Sequence, residues 1–119
     1  MFLGIDITEV NRVAYLVNQY ENRFLNKFFS KEEIQYCYRK QHPYIHFSGI
    51  FSAKESIKKA LLSSSFFKTV SFSTIEIKHY KNGAPYAHIK NFSSSVKSIS
   101  ISISHTKEYA TSIAILNSK

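Results

Sequence analysis

From Ser98 to Ser104 serine and isoleucine alternate without a break. Successive side chains of an extended strand point to opposite faces, so this run sets its isoleucines on one side and its serines on the other. Such a strand is half-buried: one face needs a cover and the other can meet water. Tyr109–Leu116 follows after a short turn and can pair with it. Phe72–Tyr80 and Tyr86–Ile89 flank Asn82-Gly83, a dipeptide that favours a tight hairpin. The second half of the chain is therefore expected to be sheet, and the first half must cover its apolar face.

The first half has the pattern to do so. Phe2–Ile7 reads as a short strand, and Thr8 is a candidate cap for a helix beginning at Glu9. Val10, Val13, Val17, Tyr20 and Phe24 recur at helical spacing and mark a buried face. Ser30-Lys31-Glu32-Glu33 is a capping-box pattern for a second helix reaching about Arg39, and His42-Pro43 ends that region. A third helix, about Tyr44 to Leu62, carries Phe47, Phe51, Ile57 and Leu61 on its apolar side. After Ser63-Ser64-Ser65 the period changes to two. Strand, helices, then strands predict an α+β fold, with helices packed on a largely antiparallel sheet. No Pro/Gly-rich linker divides the chain, so residues 1–119 are expected to form a single domain.

Charge narrows the partners. The formal net charge is +8, which favours an anionic partner: nucleic acid, a membrane surface, a polyphosphate cofactor or an acidic protein. A nucleic-acid module would use the ten Phe and eight Tyr for stacking, but no RNP-like motif, zinc spacing or basic run longer than two residues supports it. Only Met1 to Ile5 precede the first charge, Asp6, so neither a signal peptide nor a membrane span is expected. The one cysteine, Cys37, excludes an intramolecular disulfide and fits a reducing cytoplasm.

Three positions could carry chemistry. Asp6 ends an apolar strand, where a carboxylate is costly unless it is hydrogen-bonded, paired or bound to metal; the alternative is a helix-capping aspartate. Glu55 and Lys59 stand four apart and share a helix face that begins at Phe51. Either they make an ordinary intrahelical ion pair or they belong to a site beside the core. His105 follows the Ser-Ile run, with Ser104 and Thr106 beside it. It reads either as a turn residue or as a donor to phosphate or ribose.

Together these segments form a recognisable set. Gly4-Ile5-Asp6-Ile7-Thr8-Glu9-Val10-Asn11-Arg12-Val13 resembles the amino-terminal motif of the small bacterial holo-acyl-carrier-protein synthases, a family of 4′-phosphopantetheinyl transferases. Phe51-Ser52-Ala53-Lys54-Glu55 through Leu61 resembles its central helix motif, Asn82-Gly83-Ala84-Pro85 its hairpin, and Ile101 through Ala110 its closing motif. The resemblance implies a phosphopantetheinyl-transferase-like fold. It also implies transfer of 4′-phosphopantetheine from coenzyme A to a serine of an apo acyl carrier protein, as fatty acid synthesis requires. Adenosine 3′,5′-bisphosphate would be the other product. Asp6 and Glu55 match the ligands of a Mg²⁺ ion, and Lys59 matches the lysine that contacts the phosphate or the leaving group. Lys54, Ser63, Pro85, Ser104, His105 and Thr106 would contact coenzyme A. A cytoplasmic homotrimer is implied, with sites at subunit interfaces. Arg12, Leu16, Arg23 and Lys27 on the first helix would receive the acidic carrier protein.

Magnesium takes hard oxygen ligands, often one or two carboxylates with waters and substrate phosphates. A metal and a lysine suit the charge that builds on a phosphoryl group in transfer. Either Asp6 or a water could take the proton of the attacking hydroxyl. Two positions depart from the family pattern. Ile50 stands where an arginine is usual, and Ser63-Ser64-Ser65 replaces a glycine-rich turn. Lys54, Lys58 or the serine hydroxyls are the candidates to compensate.

Overall fold

A computed structural model describes residues 1–91 and 95–119. In chain order the elements are β1 (Phe2–Glu9), α1 (Val10–Tyr20), α2 (Asn22–Phe28), α3 (Lys31–Tyr38) and α4 (Pro43–Ser63). A 3₁₀ turn (Phe72–Thr74), β2 (Ile75–His79), β3 (Pro85–Ile89), β4 (Val96–His105) and β5 (Tyr109–Ser118) complete them. The fold is α+β, and among the described residues every strand pairing is antiparallel, in two separate sheets: β1-β5-β4 and β2-β3.

The Ser-Ile run forms β4 as its alternation requires. Ile99, Ile101 and Ile103 pack against the core, while Ser100, Ser102 and Ser104 are exposed. The cover is α4, whose Phe47, Ile50, Ala53, Ile57, Ala60 and Leu61 are buried. Each large apolar side chain among them contributes about 1.5–3 kcal/mol by burial. Pro43 stands at the first helical turn, where its missing N–H costs nothing. Phe24, Phe28, Phe29, Phe47, Phe51 and Phe72 close one end of the core, with ring centroids 5.0–6.3 Å apart.

The helices differ in detail from expectation. The first one breaks at Glu21, where φ is 48°, and the chain restarts as α2. Tyr20, expected on the buried face, is exposed, while the turn still carries Phe24 and Leu25 into the core. Thr8 does not cap α1: Glu9 holds the cap position without a side-chain bond, and the Val10 N–H donates to the Glu108 carbonyl at 2.9 Å. The capping box of α3 is complete. Ser30 Oγ accepts from the Glu33 N–H at 3.1 Å and Glu33 Oε1 accepts from the Ser30 N–H at 2.7 Å. Phe72–Thr74 is 3₁₀ rather than strand. In the hairpin, Tyr80 and Ala84 close the loop and Gly83 takes φ 90°.

Candidate active site

The seam between β1 and α4 starts from a glycine. Gly4, Asp6 and Thr8 alternate onto the face of β1 that α4 covers. A Cβ on Gly4 would lie 2.8 Å from the carbonyl carbon of Ser56 and 2.9 Å from the Ala60 nitrogen. Only glycine lets the helix come this close. Two residues on, Asp6 then meets Lys59, whose Nζ donates to the Ile5 carbonyl at 2.9 Å and reaches Asp6 Oδ1 at 3.4 Å. Thr8 Oγ1 donates to Asp6 Oδ2 at 2.8 Å. Both carboxylate oxygens are thus oriented, and Asp6 is no helix cap.

Beneath Asp6 runs a chain of buried hydroxyls. Ser52 Oγ and Ser112 Oγ lie 2.8 Å apart, Ser112 Oγ donates to Ser56 Oγ at 3.0 Å, and Ser56 Oγ donates to the Ala53 carbonyl at 2.9 Å. The Asp6 carbonyl accepts from Thr111 Oγ1 at 2.9 Å and from Ser52 Oγ at 3.3 Å. The network ties α4, β1 and β5 together where the carboxylate stands. Spacing alone gave no sign of it, because its members are far apart in sequence.

Glu55 opens into the same cleft as Asp6. The cleft encloses roughly 380 Å³ between β1, α1 and α4, with Arg12, Leu16, Phe24, Phe51 and Tyr109 in its walls. Among the described residues Glu55 has no hydrogen-bond or ion-pair partner. The intrahelical pair with Lys59 does not form, since Lys59 turns to Asp6. Two carboxylates facing one cleft, one of them unengaged, suit a hard divalent cation that keeps waters and phosphate oxygens as further ligands. Among the described residues no cluster of three His, Cys, Asp or Glu stands ready as an all-protein cage. Magnesium fits such a donor set.

The cleft runs into a second groove of roughly 400 Å³ along α1 and α2. Arg12, Leu16, Tyr20, Arg23, Phe24, Lys27, Phe28 and Phe51 line it. All four residues expected to meet a carrier protein therefore lie on one surface. Phenylalanines form its floor and cations its rim.

Pro85 and His105 lie elsewhere. They border a pocket of roughly 140 Å³ with Tyr36, His46, Gly49, Ile50, His79, Gly83 and Ile103. Asp6, Ser112 and Ile103 are cross-strand neighbours on the face beneath α4. Ser52 of α4 sits over Ser112, while a Cβ on Gly49 would lie 3.1 Å from Ile103. The helix thus runs between the cleft and the pocket. His46 and Glu55 are nine residues apart on it, which is half a turn off in direction and about 13 Å in rise.

Of the remaining expected contacts, Lys54 and Thr106 are engaged in structure. Lys54 is buried; its Nζ donates to Glu33 Oε1 at 2.7 Å and to the Phe28 carbonyl at 2.8 Å. Burial pulls its pKa below the usual range, while the Glu33 charge acts in the opposite sense. Glu33 Oε2 also accepts from the Ile77 N–H at 2.7 Å, so one carboxylate joins α3, α4 and β2. Lys54 thus joins the end of α2 to that carboxylate. Lys58 lies 5.7 Å over the Phe72 ring. Thr106 Oγ1 accepts from the Glu108 and Tyr109 N–H groups at 3.2 and 3.1 Å and so shapes the β4–β5 turn. Ser104 is exposed on the opposite face of β4 from Ile103. Ser63 ends α4, and two residues later Ser65 takes φ 63°, the left-handed conformation a glycine would favour.

Comparison with known proteins covers nearly the whole chain. Residues 2–114 match the model of the 4′-phosphopantetheinyl transferase superfamily. The Holo-[acyl-carrier-protein] synthase of Halothermothrix orenii is 37% identical over 119 residues, spanning 95% of this chain and 94% of the relative. The synthase of Chlamydia muridarum is 38% identical over 117 residues, spanning 95% and 91%. Among solved structures, the Helicobacter pylori holo-[acyl-carrier-protein] synthase in complex with coenzyme A aligns with a TM-score of 0.84 at 30% identity, covering 97% of this chain and 99% of that one. The Bacillus anthracis synthase in complex with CoA (3′,5′-ADP) gives 0.79 at 27% identity, covering 99% and 96%.

Proposed function

The chain belongs to the 4′-phosphopantetheinyl transferase superfamily as a holo-acyl-carrier-protein synthase, and on that premise we propose how its own residues carry the reaction. It transfers 4′-phosphopantetheine from coenzyme A to apo acyl carrier protein. Residues 1–119 act as one catalytic domain. Asp6 and Glu55 would hold Mg²⁺ in the cleft, and Lys59 reaches Asp6. The bound cation would supply positive charge to the pyrophosphate of coenzyme A.

Every other task falls to side chains. Thr8 fixes one oxygen of Asp6, and Lys59 balances charge on the phosphoryl group as it moves. Leu16, Phe24 and Phe51 keep the cleft walls apolar and limit water around the reacting centre. The carrier protein rests on Arg12, Leu16, Arg23 and Lys27, which brings its serine to the cleft along the adjoining groove. Pro85 and His105 hold the nucleotide end of coenzyme A.

The same layout favours a homotrimer. α4 separates the carboxylates from His105 within one chain, so an adjacent copy can supply the second half of a site. The outer face of the three-stranded sheet is also apolar: Leu3, Ile5, Ile7 and Ile113 are 38–68% exposed, with Ile5 directly opposite Ile113. Patches of this kind mark contact surfaces. Among the described residues no helix is long and apolar enough to cross a membrane. We take the reaction to be cytoplasmic, where an unpaired thiol such as Cys37 stays reduced.

The observation that carries the reading is that Glu55 and Asp6, which Lys59 reaches, line one cleft that adjoins the basic groove. The test is mass spectrometry of apo carrier protein incubated with this protein, coenzyme A and Mg²⁺. One phosphopantetheine should be added per carrier, and Asp6→Asn or Glu55→Gln should reduce the rate at least about a hundredfold. Normal transfer by either variant would remove the assignment.

A further inference from the structure

The two carboxylates of the cleft are held in different ways. Asp6 is fixed at both ends. Its main-chain carbonyl accepts from Thr111 Oγ1 at 2.9 Å and from Ser52 Oγ at 3.3 Å, while its Oδ2 accepts from Thr8 Oγ1 at 2.8 Å. Oδ1 has the longer contact, 3.4 Å from Lys59 Nζ. Glu55 has no hydrogen-bond or ion-pair partner among the described residues, so its carboxylate can turn to suit a ligand.

Thr8 stands two residues after Asp6, and side chains two apart on a strand share a face. Its hydroxyl is available because the Glu108 carbonyl meets the first N–H of α1. The Asp6 side chain is 12% exposed and Thr8 is 8% exposed, so water competes little for their bond. A hydroxyl donating to an ionised carboxylate is among the stronger hydrogen bonds. Here it occupies Oδ2 and sets the plane of the carboxyl group. One oxygen of Asp6 is thereby committed and the other is left for a cation.

That asymmetry discriminates between hard cations. Mg²⁺ is small, keeps several waters and is served by single carboxylate oxygens. Ca²⁺ is larger, takes roughly six to eight ligands and often gathers them through both oxygens of a carboxylate. We propose that Thr8 is a positioning residue that sets the metal preference of the site: by holding Oδ2 it leaves Asp6 a one-oxygen ligand, which serves Mg²⁺ and handicaps Ca²⁺. The proposal rests on the reading that Asp6 and Glu55 hold the cation. Loss of the hydroxyl frees Oδ2. Both ions then meet a less satisfied carboxylate, but Ca²⁺ alone gains a further ligand, so the ratio of the two affinities moves toward Ca²⁺.

The test measures binding, not turnover. Mn²⁺ bound to the protein with coenzyme A, without carrier protein, is followed by electron paramagnetic resonance, and Mg²⁺ or Ca²⁺ is titrated in to displace it. Thr8→Val keeps the shape of the side chain and loses the donor. It should raise the Ca²⁺ affinity relative to that for Mg²⁺ by about three- to tenfold, the scale on which one hydrogen bond to a charged group acts. Thr8→Ser keeps the hydroxyl and should retain the wild-type ratio. A merely structural role would change both affinities together. The coenzyme's own affinity for each ion is common to all variants and cancels in the comparison. Thr8→Ala gives a second reading if Thr8→Val melts early. An unchanged ratio in Thr8→Val and Thr8→Ala, or a ratio altered equally in Thr8→Ser and Thr8→Val, would overturn the proposal. Asp6→Asn separates the two claims. If it leaves Mn²⁺ binding at the wild-type level, Asp6 is no ligand, and the metal assignment falls together with the proposal. If it clearly weakens Mn²⁺ binding while Thr8→Val keeps the wild-type ratio, the proposal alone falls.

Discussion

Lys54 and Lys59 sit five residues apart on one helix and have opposite fates. Lys59 is half-exposed and reaches Asp6, whereas Lys54 is buried against Glu33. Lys59→Ala should lower the maximal rate of transfer, because its charge matters most when the phosphoryl group is in flight. Steady-state kinetics with only the Michaelis constant changed would contradict that role. Lys54→Met should instead cost about 3–5 kcal/mol of stability by leaving the Glu33 carboxylate buried without its cation. Denaturant unfolding of Lys54→Met, with Lys54→Met/Glu33→Gln recovering much of the loss, checks it. Asp6, Glu55 and Lys59 fall inside local motifs, so the sequence alone nominates them. The burial of Lys54 was not legible there, because its partner lies 21 residues away and no spacing rule links them. Thr8 was read as a cap because threonine before a helix normally is one. Here a carbonyl from the β4–β5 turn meets the first N–H of α1, which frees the hydroxyl for Asp6.

At the scale of elements, hydrophobic period was the readable quantity. It gave β1, α4, β4 and β5 nearly to their ends, since each has one face against the core, while a capping box marked the start of α3. It did not give the break at Glu21, where neither glycine nor proline marks the turn and only the packing of Phe24 and Leu25 requires it. Nor did it separate the strands into two sheets, because pairing partners depend on where α4 lies. The contact of β1 with α4 hangs on Gly4. Gly4→Ala should push the helix off the strand, costing about 1–3 kcal/mol as an overpacked site does. It should also lower transfer more than stability, because Asp6 and Glu55 stand on opposite sides of that seam. Melting curves measured beside transfer rates test this; activity lost only in proportion to unfolding would speak against it.

For the whole molecule, charge and division of labour dominate. The chain carries +8, and three of its cations, Arg12, Arg23 and Lys27, line the α1–α2 groove. Arg12→Glu or Lys27→Glu should raise the Michaelis constant for the carrier protein several-fold, with that for coenzyme A nearly unchanged. The effect should fade as salt shortens the Debye length toward about 8 Å and below. Unchanged carrier kinetics at low salt in both variants would move the docking face elsewhere. The position of α4 has a further consequence in genetics. Since it parts the carboxylates from His105 within each chain, the two defects can be carried by different chains. Asp6→Asn subunits and His105→Ala/Thr106→Ala subunits, each poorly active alone, should complement each other when refolded together. In a cyclic assembly mixed at random and in equal amounts, about a quarter of the interfaces would join two intact halves. Two defective alleles in one cell would then make a working enzyme that neither encodes.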